Sequence, residues 1–165
     1  MLKLKKPKRL AGRALKGDFS AKGKRFGVVV SDFNGYLTKK LLEDALEALT
    51  RHGASPNNIH VLTVPGAFEI PLAAKKLIEK KKPHAVITLS VVIQGETKHF
   101  DQVVTECAKG VREVSLKSGV PVILGMITAT STSQAIERLG IKHMSKGREW
   151  ALSAIEMASV LGKLK

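Results

Sequence analysis

The sequence is poor in the residues that staple, span or stack. Cysteine occurs once, at Cys107, so no intrachain disulfide can form and no zinc cluster is indicated. A lone thiol fits a reducing compartment, and a cytoplasmic location is the expectation. No stretch approaches the ~20 apolar residues that span a bilayer, so no membrane partner is predicted. The basic amino-terminal segment has no apolar core behind it and does not read as a secretory signal. An organelle presequence shares its shortage of acids but is usually richer in serine. Tryptophan and tyrosine occur once each and aromatics make up 4% of the chain, which leaves few rings to stack on bases. There is no Walker pattern, no dinucleotide fingerprint and no metal-ligand spacing, so no metal is predicted.

Acidic residues are also scarce. Against 28 Lys and Arg there are 14 Asp and Glu, a net charge of +14. The imbalance is concentrated: residues 1–25 hold ten basic side chains and one acid, Asp18. We read residues 1–24 as a basic arm and 25–165 as one domain, since 165 residues suit a single compact core. The arm is either a solvated tail or a surface for anions such as nucleic acid, and Phe19 is its only ring.

From residue 26, short apolar runs alternate with amphipathic stretches. Val28-Val29-Val30 lies in a β-branched strand. Residues 36–52 carry Leu37, Leu41, Leu42, Ala45, Leu46 and Leu49 at helical spacing, closed by Gly53 as a C-terminal cap. Strands are predicted at 59–64, 85–93 and 121–127, and helices at 68–82, 100–116, 131–139 and 146–164. Such alternation implies a parallel sheet with right-handed crossovers and helices on both faces. The strands read as continuous apolar runs, as expected when both faces are covered.

In open α/β sheets, ligands bind outside the carboxyl ends of the strands. Four loops at those ends carry chemistry: Ser31 to Asn34, Val64 to Glu69, Ile93 to His99, and Ile127 to Thr130. Gly95-Glu96-Thr97-Lys98-His99 follows a strand and opens a helix, where free N–H groups favour an anion. The positive helix end disfavours an imidazolium at His99, so a neutral ring can shuttle protons beside a phosphate. Equally, Thr97 is a plain helix cap and His99 a surface histidine. Arg138 offers a planar fork for phosphate oxygens, or is solvated. Lys142, Lys146, Arg148 and Glu149 surround the start of the last helix, as site residues or as ordinary capping charge. The turn-like setting of Phe33 argues for an exposed ring that can cover a flat heterocycle.

Several of these segments, taken together, resemble one family. Val64-Pro65-Gly66-Ala67-Phe68-Glu69-Ile70-Pro71 is similar to the most distinctive motif of lumazine synthases, and Val92-Ile93-Gln94-Gly95-Glu96-Thr97-Lys98-His99-Phe100-Asp101 to the second. Pro121-Val122-Ile123-Leu124-Gly125 and Gln134-Ala135-Ile136-Glu137-Arg138 resemble two more, and Ser145-Lys146-Gly147 with Glu149 matches a fifth loosely. Order and spacing are kept over about residues 25–160.

The resemblance implies a three-layer α/β/α, flavodoxin-like open parallel sheet of four strands. It implies condensation of 5-amino-6-(D-ribitylamino)uracil with 3,4-dihydroxy-2-butanone 4-phosphate to 6,7-dimethyl-8-ribityllumazine, with no cofactor. His99 would transfer protons. Arg138, Glu96 and Thr97 would hold phosphate. Phe33 would stack on the pyrimidine, and Ala67, Phe68 and Glu69 would contact the uracil and ribityl chain. Val91, Val92 and Ile93 would present backbone groups, with Lys146 and Glu149 near the ribityl or phosphate side. The family places its site between neighbouring subunits of a pentamer, and the length of 138–146 leans toward a sixty-subunit shell, with riboflavin synthase as a potential partner.

Four positions depart from the family pattern: Leu124 where Phe is usual, Gln94 where Arg is frequent, Asp32 where a basic residue is common, and Ser90 where Gly is common. Loss of the aromatic contact at Leu124 is expected to cost on the order of 1 kcal/mol of ligand binding. Three competing readings follow: a weakly active flavin- or lumazine-binding container, an added nucleic-acid role for the arm, or the archaeal-type riboflavin synthase, which shares the fold.

Overall fold

The computed structural model describes residues 14–95, 99–140 and 145–164. Four strands, β1 (Phe26–Ser31), β2 (Ile59–Val64), β3 (Ala85–Ile93) and β4 (Val122–Ala129), form one parallel sheet in the order β2-β1-β3-β4. Five helices connect and cover them: α1 (Gly35–Arg51), α2 (Ile70–Lys81), α3 (His99–Ser118), α4 (Thr132–Arg138) and α5 (Lys146–Gly162). This is the flavodoxin-like α/β/α arrangement expected from the sequence. From β1 the chain steps outward to β2, then crosses back to place β3 on the other side of β1. The topological switch therefore lies between the carboxyl ends of β1 and β3.

Alternation along the strands divides the core into two layers. Val28, Val30, Ile87 and Leu89 pack with α1 and α5, whereas Val29 and Val86 pack with α2 and α3. In the second layer, burial pushes the Cys107 thiol up to about 11. It is a packing residue rather than a nucleophile.

Several boundaries differ from the sequence reading. The chain at Ala67–Glu69 makes a 3-10 turn and α2 begins at Ile70, because Pro71 lacks an N–H and fits only a helix's first turn. β4 begins at Val122 and runs to Ala129, with Pro121 contributing only its carbonyl, to the Val86 N–H. The expectation that both faces of every strand are covered fails at β2. It is an edge strand, and Val61, Leu62 and Thr63 are exposed.

The described part of the basic arm straps the amino edge of the sheet. The Asp18 N–H donates to Ser159 Oγ (3.1 Å) and Lys163 Nζ to the Lys16 carbonyl (2.9 Å), at the end of α5. The Ala21 N–H donates to the His52 carbonyl (2.8 Å), at the end of α1.

α1 and α5 meet through small residues, among them Ala45, Ala48, Ala151, Ala154 and Ala158. The tightest point is Gly147, where a Cβ would lie 2.2 Å from the Leu41 carbonyl oxygen. A backbone atom cannot swing aside, so Gly147→Ala is overpacked. It is expected to cost about 2 kcal/mol and to lower Tm by on the order of 6 °C in a domain of this size, measured by thermal denaturation. An unchanged Tm would show that the two helices separate freely.

Candidate functional site

The loop after β1 is fixed on both sides. The Asp32 N–H donates to the Val64 carbonyl (2.7 Å) and the Phe33 N–H to the Pro65 carbonyl (3.0 Å), which ties the loop to the end of β2. Asn34 adopts the left-handed conformation (φ 57°) just before α1, a region that asparagine tolerates better than most residues. Its side-chain amide donates to the Val91 carbonyl on β3 (2.9 Å). Between these anchors Phe33 projects outward, 66% exposed.

β1 pairs with β3 only as far as Val30 with Leu89, while β3 continues to Ile93 alongside β4. Ser90 to Ile93 thus overhang β1. Backbone groups of successive residues point to opposite sides of a strand. The Val91 carbonyl faces the β1 side, where Asn34 caps it, and Ile93 shares that parity. Val92 pairs with Thr128 on β4. Ile93 is therefore the residue of this run whose backbone groups are directed at the cleft with no strand opposite.

A cleft of about 580 Å³ opens over this overhang, within the range that holds a small ligand. Phe33, Ala67, Phe68, Glu69, Val91, Val92, Ile93 and His99 all line it. Phe68 is 61% exposed, so a second ring shares the cleft with Phe33. His99 is the first residue of α3 and is exposed, at the positive end of a 20-residue helix. Glu96 and Thr97 lie outside the described residues, as does Lys142.

The remaining expected residues sit elsewhere on the chain. Arg138, Lys146 and Glu149 line a separate cleft of about 530 Å³ beside β4, together with Thr128 and Trp150, and the two clefts share no lining residue. Ser131 caps α4 by accepting from the Gln134 N–H (3.2 Å), and the Gln134 side chain accepts from the Thr130 N–H (2.8 Å). This arrangement, close to a capping box, fixes the short helix that carries Arg138 in its last turn. Arg138 Nη1 donates to the Thr128 carbonyl (2.6 Å), which orients the guanidinium and leaves its other donors for a ligand. Lys146 and Glu149 form an ion pair (2.7 Å). They are held against α1, where Ser145 Oγ donates to the Asp44 carboxylate that also meets Lys40 (2.6 Å). Leu124 stands on the edge strand β4, 40% exposed.

A single chain therefore gathers Phe33, Phe68 and His99 in one place and Arg138, Lys146 and Glu149 in another. Sequence reasoning missed Asn34 as the clamp of the first cleft, although an Asn-Gly pair after a strand is a turn signal. It also missed Trp150, whose place in the second cleft had no sequence signal beyond its rarity. Removing the clamp loses a hydrogen bond and strains the left-handed residue, so Asn34→Ala is expected to cost about 2 kcal/mol. Asn34→Gly keeps the conformation and should recover part of the loss. Thermal denaturation of both checks this, and equal losses would mean that conformation plays no part.

No helix among the described residues is long and apolar enough to cross a membrane. Among solved structures, the chain is similar to a de novo designed Rossmann fold protein. The identity is 22%, over 70% of this chain and 93% of that one, with a TM-score of 0.40. The family model described as 6,7-dimethyl-8-ribityllumazine synthase matches residues 23–162. The chain belongs to the lumazine synthase family, transferase-type enzymes of riboflavin biosynthesis.

Proposed function

We propose that the protein condenses 5-amino-6-(D-ribitylamino)uracil with 3,4-dihydroxy-2-butanone 4-phosphate, releasing 6,7-dimethyl-8-ribityllumazine, phosphate and two waters. The observation that carries this reading is the division of the expected site into two half-sites on one chain. The cleft over the β3 overhang suits the flat uracil: Phe33 covers its face and the Ile93 backbone meets its polar edge. Glu69 accepts from ribityl hydroxyls. The Arg138 side suits the phosphorylated ketone, with the guanidinium fork on the phosphate. Lys146 and Glu149 flank it.

The 5-amino group attacks the ketone and loses water to form an imine. Loss of the C3 proton and of phosphate from C4 leaves an enol, which tautomerises to a ketone at C3, and the ribitylamino nitrogen then closes onto that carbonyl with loss of the second water. His99 accepts and returns the protons of these steps. Glu96 and Thr97 complete the phosphate contacts. Both substrates are reactive by themselves, so holding them in register supplies much of the acceleration, up to about 7–11 kcal/mol in well-oriented cases. Proton transfer adds roughly 10²–10⁴-fold.

The two half-sites meet when β4 of one subunit lies against the cleft of the next, as in a homopentamer or a sixty-subunit shell. The uncovered apolar side chains of Val61 and Leu62 on β2, with Phe68, Leu72 and Leu116, support assembly. The charge of +14 on each subunit opposes it unless anions or salt screen the repulsion. We place the enzyme in the cytoplasm, with riboflavin synthase as the consumer of its product. A second reading, a flavin- or lumazine-binding container with little turnover, is favoured by Leu124, an aliphatic residue exposed on the edge strand β4 where the family usually has Phe.

The test follows lumazine formation from the two substrates against the uncatalysed background. The wild-type protein is expected to turn over. Arg138→Ala should raise KM for the butanone phosphate at least 10-fold, and His99→Ala should slow kcat without abolishing it. Random mixing of the two variants should restore intact sites at about a quarter of the interfaces. No recovery on mixing would mean that each site is built within one chain. No turnover, with flavin still bound, would leave the container reading.

A further inference from the structure

In a parallel α/β sheet the helices run against the strands, so helix ends collect at the amino edge of the sheet, opposite the cleft. Here that edge is basic at nearly every element. α1 ends in Arg51, α2 in Lys80 and Lys81 followed by Lys82, α3 in Lys117, and α5 is followed by Lys163. Cations at helix ends offset the helix dipole, which accounts for one apiece. It does not account for three in succession at the end of α2, nor for what the strap adds.

The strap brings Lys16, Lys22, Lys24 and Arg25 onto the same edge, held there by hydrogen bonds and by packing. Lys16 lies at the end of α5 through the Lys163 bond. Lys22 lies against Gly53, 3.6 Å from its Cβ position, just beyond α1. Arg25 donates from Nε and Nη2 to the Lys82 carbonyl (3.1 and 3.0 Å), and its N–H donates to His84 Nδ1 (2.9 Å). This joins the start of β1 to the end of α2 and the start of β3.

Three of the cations are neutralised: Arg51 by Glu47, Lys117 by Glu113 and Lys163 by Asp18. Lys16, Lys22, Lys24, Arg25, Lys80, Lys81 and Lys82 have no acidic partner among the described residues.

The geometry points to a second function for this edge: sequence-independent binding of the phosphate backbone of a nucleic acid. A polyanion is the ligand that a broad face of unpaired lysines fits, through release of its counterions. Base recognition is not part of it. Among the described residues no helix projects from the face to enter a groove, and the one ring on the strap, Phe19, is edge-on to His52. An anionic membrane fits less well. Surface-binding helices present a continuous apolar stripe, whereas the exposed apolar side chains here, Leu15, Phe19, Leu116 and Leu164, come from three separate elements.

The test measures binding of a fluorescent 24-nucleotide single-stranded RNA by the full-length protein across a salt series. The variants are Lys80→Gln with Lys81→Gln and Lys82→Asn combined, and separately a deletion of residues 1–13. Asparagine suits the left-handed backbone of Lys82 (φ 48°), and the carbonyl that Arg25 uses is unchanged. Circular dichroism and lumazine turnover, which uses the opposite edge, report on folding.

The wild type is expected to bind with affinity falling steeply with salt. The triple variant should flatten the slope of log K against log salt by about 2 and weaken binding on the order of 10–100-fold at 0.1 M. Three results would overturn the assignment. One is no RNA binding at 50 mM salt. Another is loss on deleting 1–13 with the folded triple variant unaffected, which confines binding to the arm. The third is binding to vesicles containing phosphatidylserine without binding to RNA.

Discussion

The β3 strand outlasts its neighbour β1, and the site depends on that mismatch. β1 stops pairing at Val30 with Leu89, and the next four residues of β3 keep β4 on one side and have no strand on the other. An unpaired backbone edge inside a fold is costly unless something covers it. Asn34 covers part of it, by bonding the Val91 carbonyl. The rest lies open as the floor of the cleft. Phe33 stands beside it because the same short loop is bound to β2 and β3 at once. A longer β1 would have filled the floor, and a shorter β3 would have removed it.

The two faces of the sheet contribute differently to this arrangement. On one, α1 and α5 approach closely through alanines and Gly147, and the Ser145–Asp44 bond fixes the start of α5 against α1. That contact sets where Lys146 and Glu149 sit. On the other, α2 and α3 hold the mouth of the cleft, with Ala67 and Ile70 buried on either side of the exposed Phe68 and Glu69 in the chain. Rigid packing below and exposed rings above is the arrangement that pre-organises a ligand without burying its surface in advance.

Much of the architecture was legible in the sequence, for a physical reason. Buried strands such as Val28-Val29-Val30 and helices with leucine at spacing of three and four leave a strong periodic trace, and breakers such as Pro83 and Gly53 mark their ends. The residues lining the cleft were legible because motif residues at strand ends have few packing reasons to be there. What was not legible is relational. Periodicity could not show that Val61 and Leu62 lie on an edge strand, since an apolar run looks the same whether one face or two is covered. Nor could it show that Arg138 and His99 occupy different clefts of one chain, because sequence order carries no distance between the end of β4 and the start of α3. The Asn34 clamp was hidden for a similar reason: its partner is a main-chain carbonyl 57 positions away.

Asn34 also ties two properties that proteins usually vary separately. Its backbone sets the entry into α1, and its amide holds the cleft floor to the loop that carries Phe33. Glycine can supply the first property and not the second, while glutamine, with a longer arm, suits neither well. Drift at this position is therefore confined to a very small alphabet. A lineage that retunes the pocket must do so at the rim, at positions such as Phe68 or Glu69, because changing the hinge of the loop would alter folding and ligand geometry in one stroke.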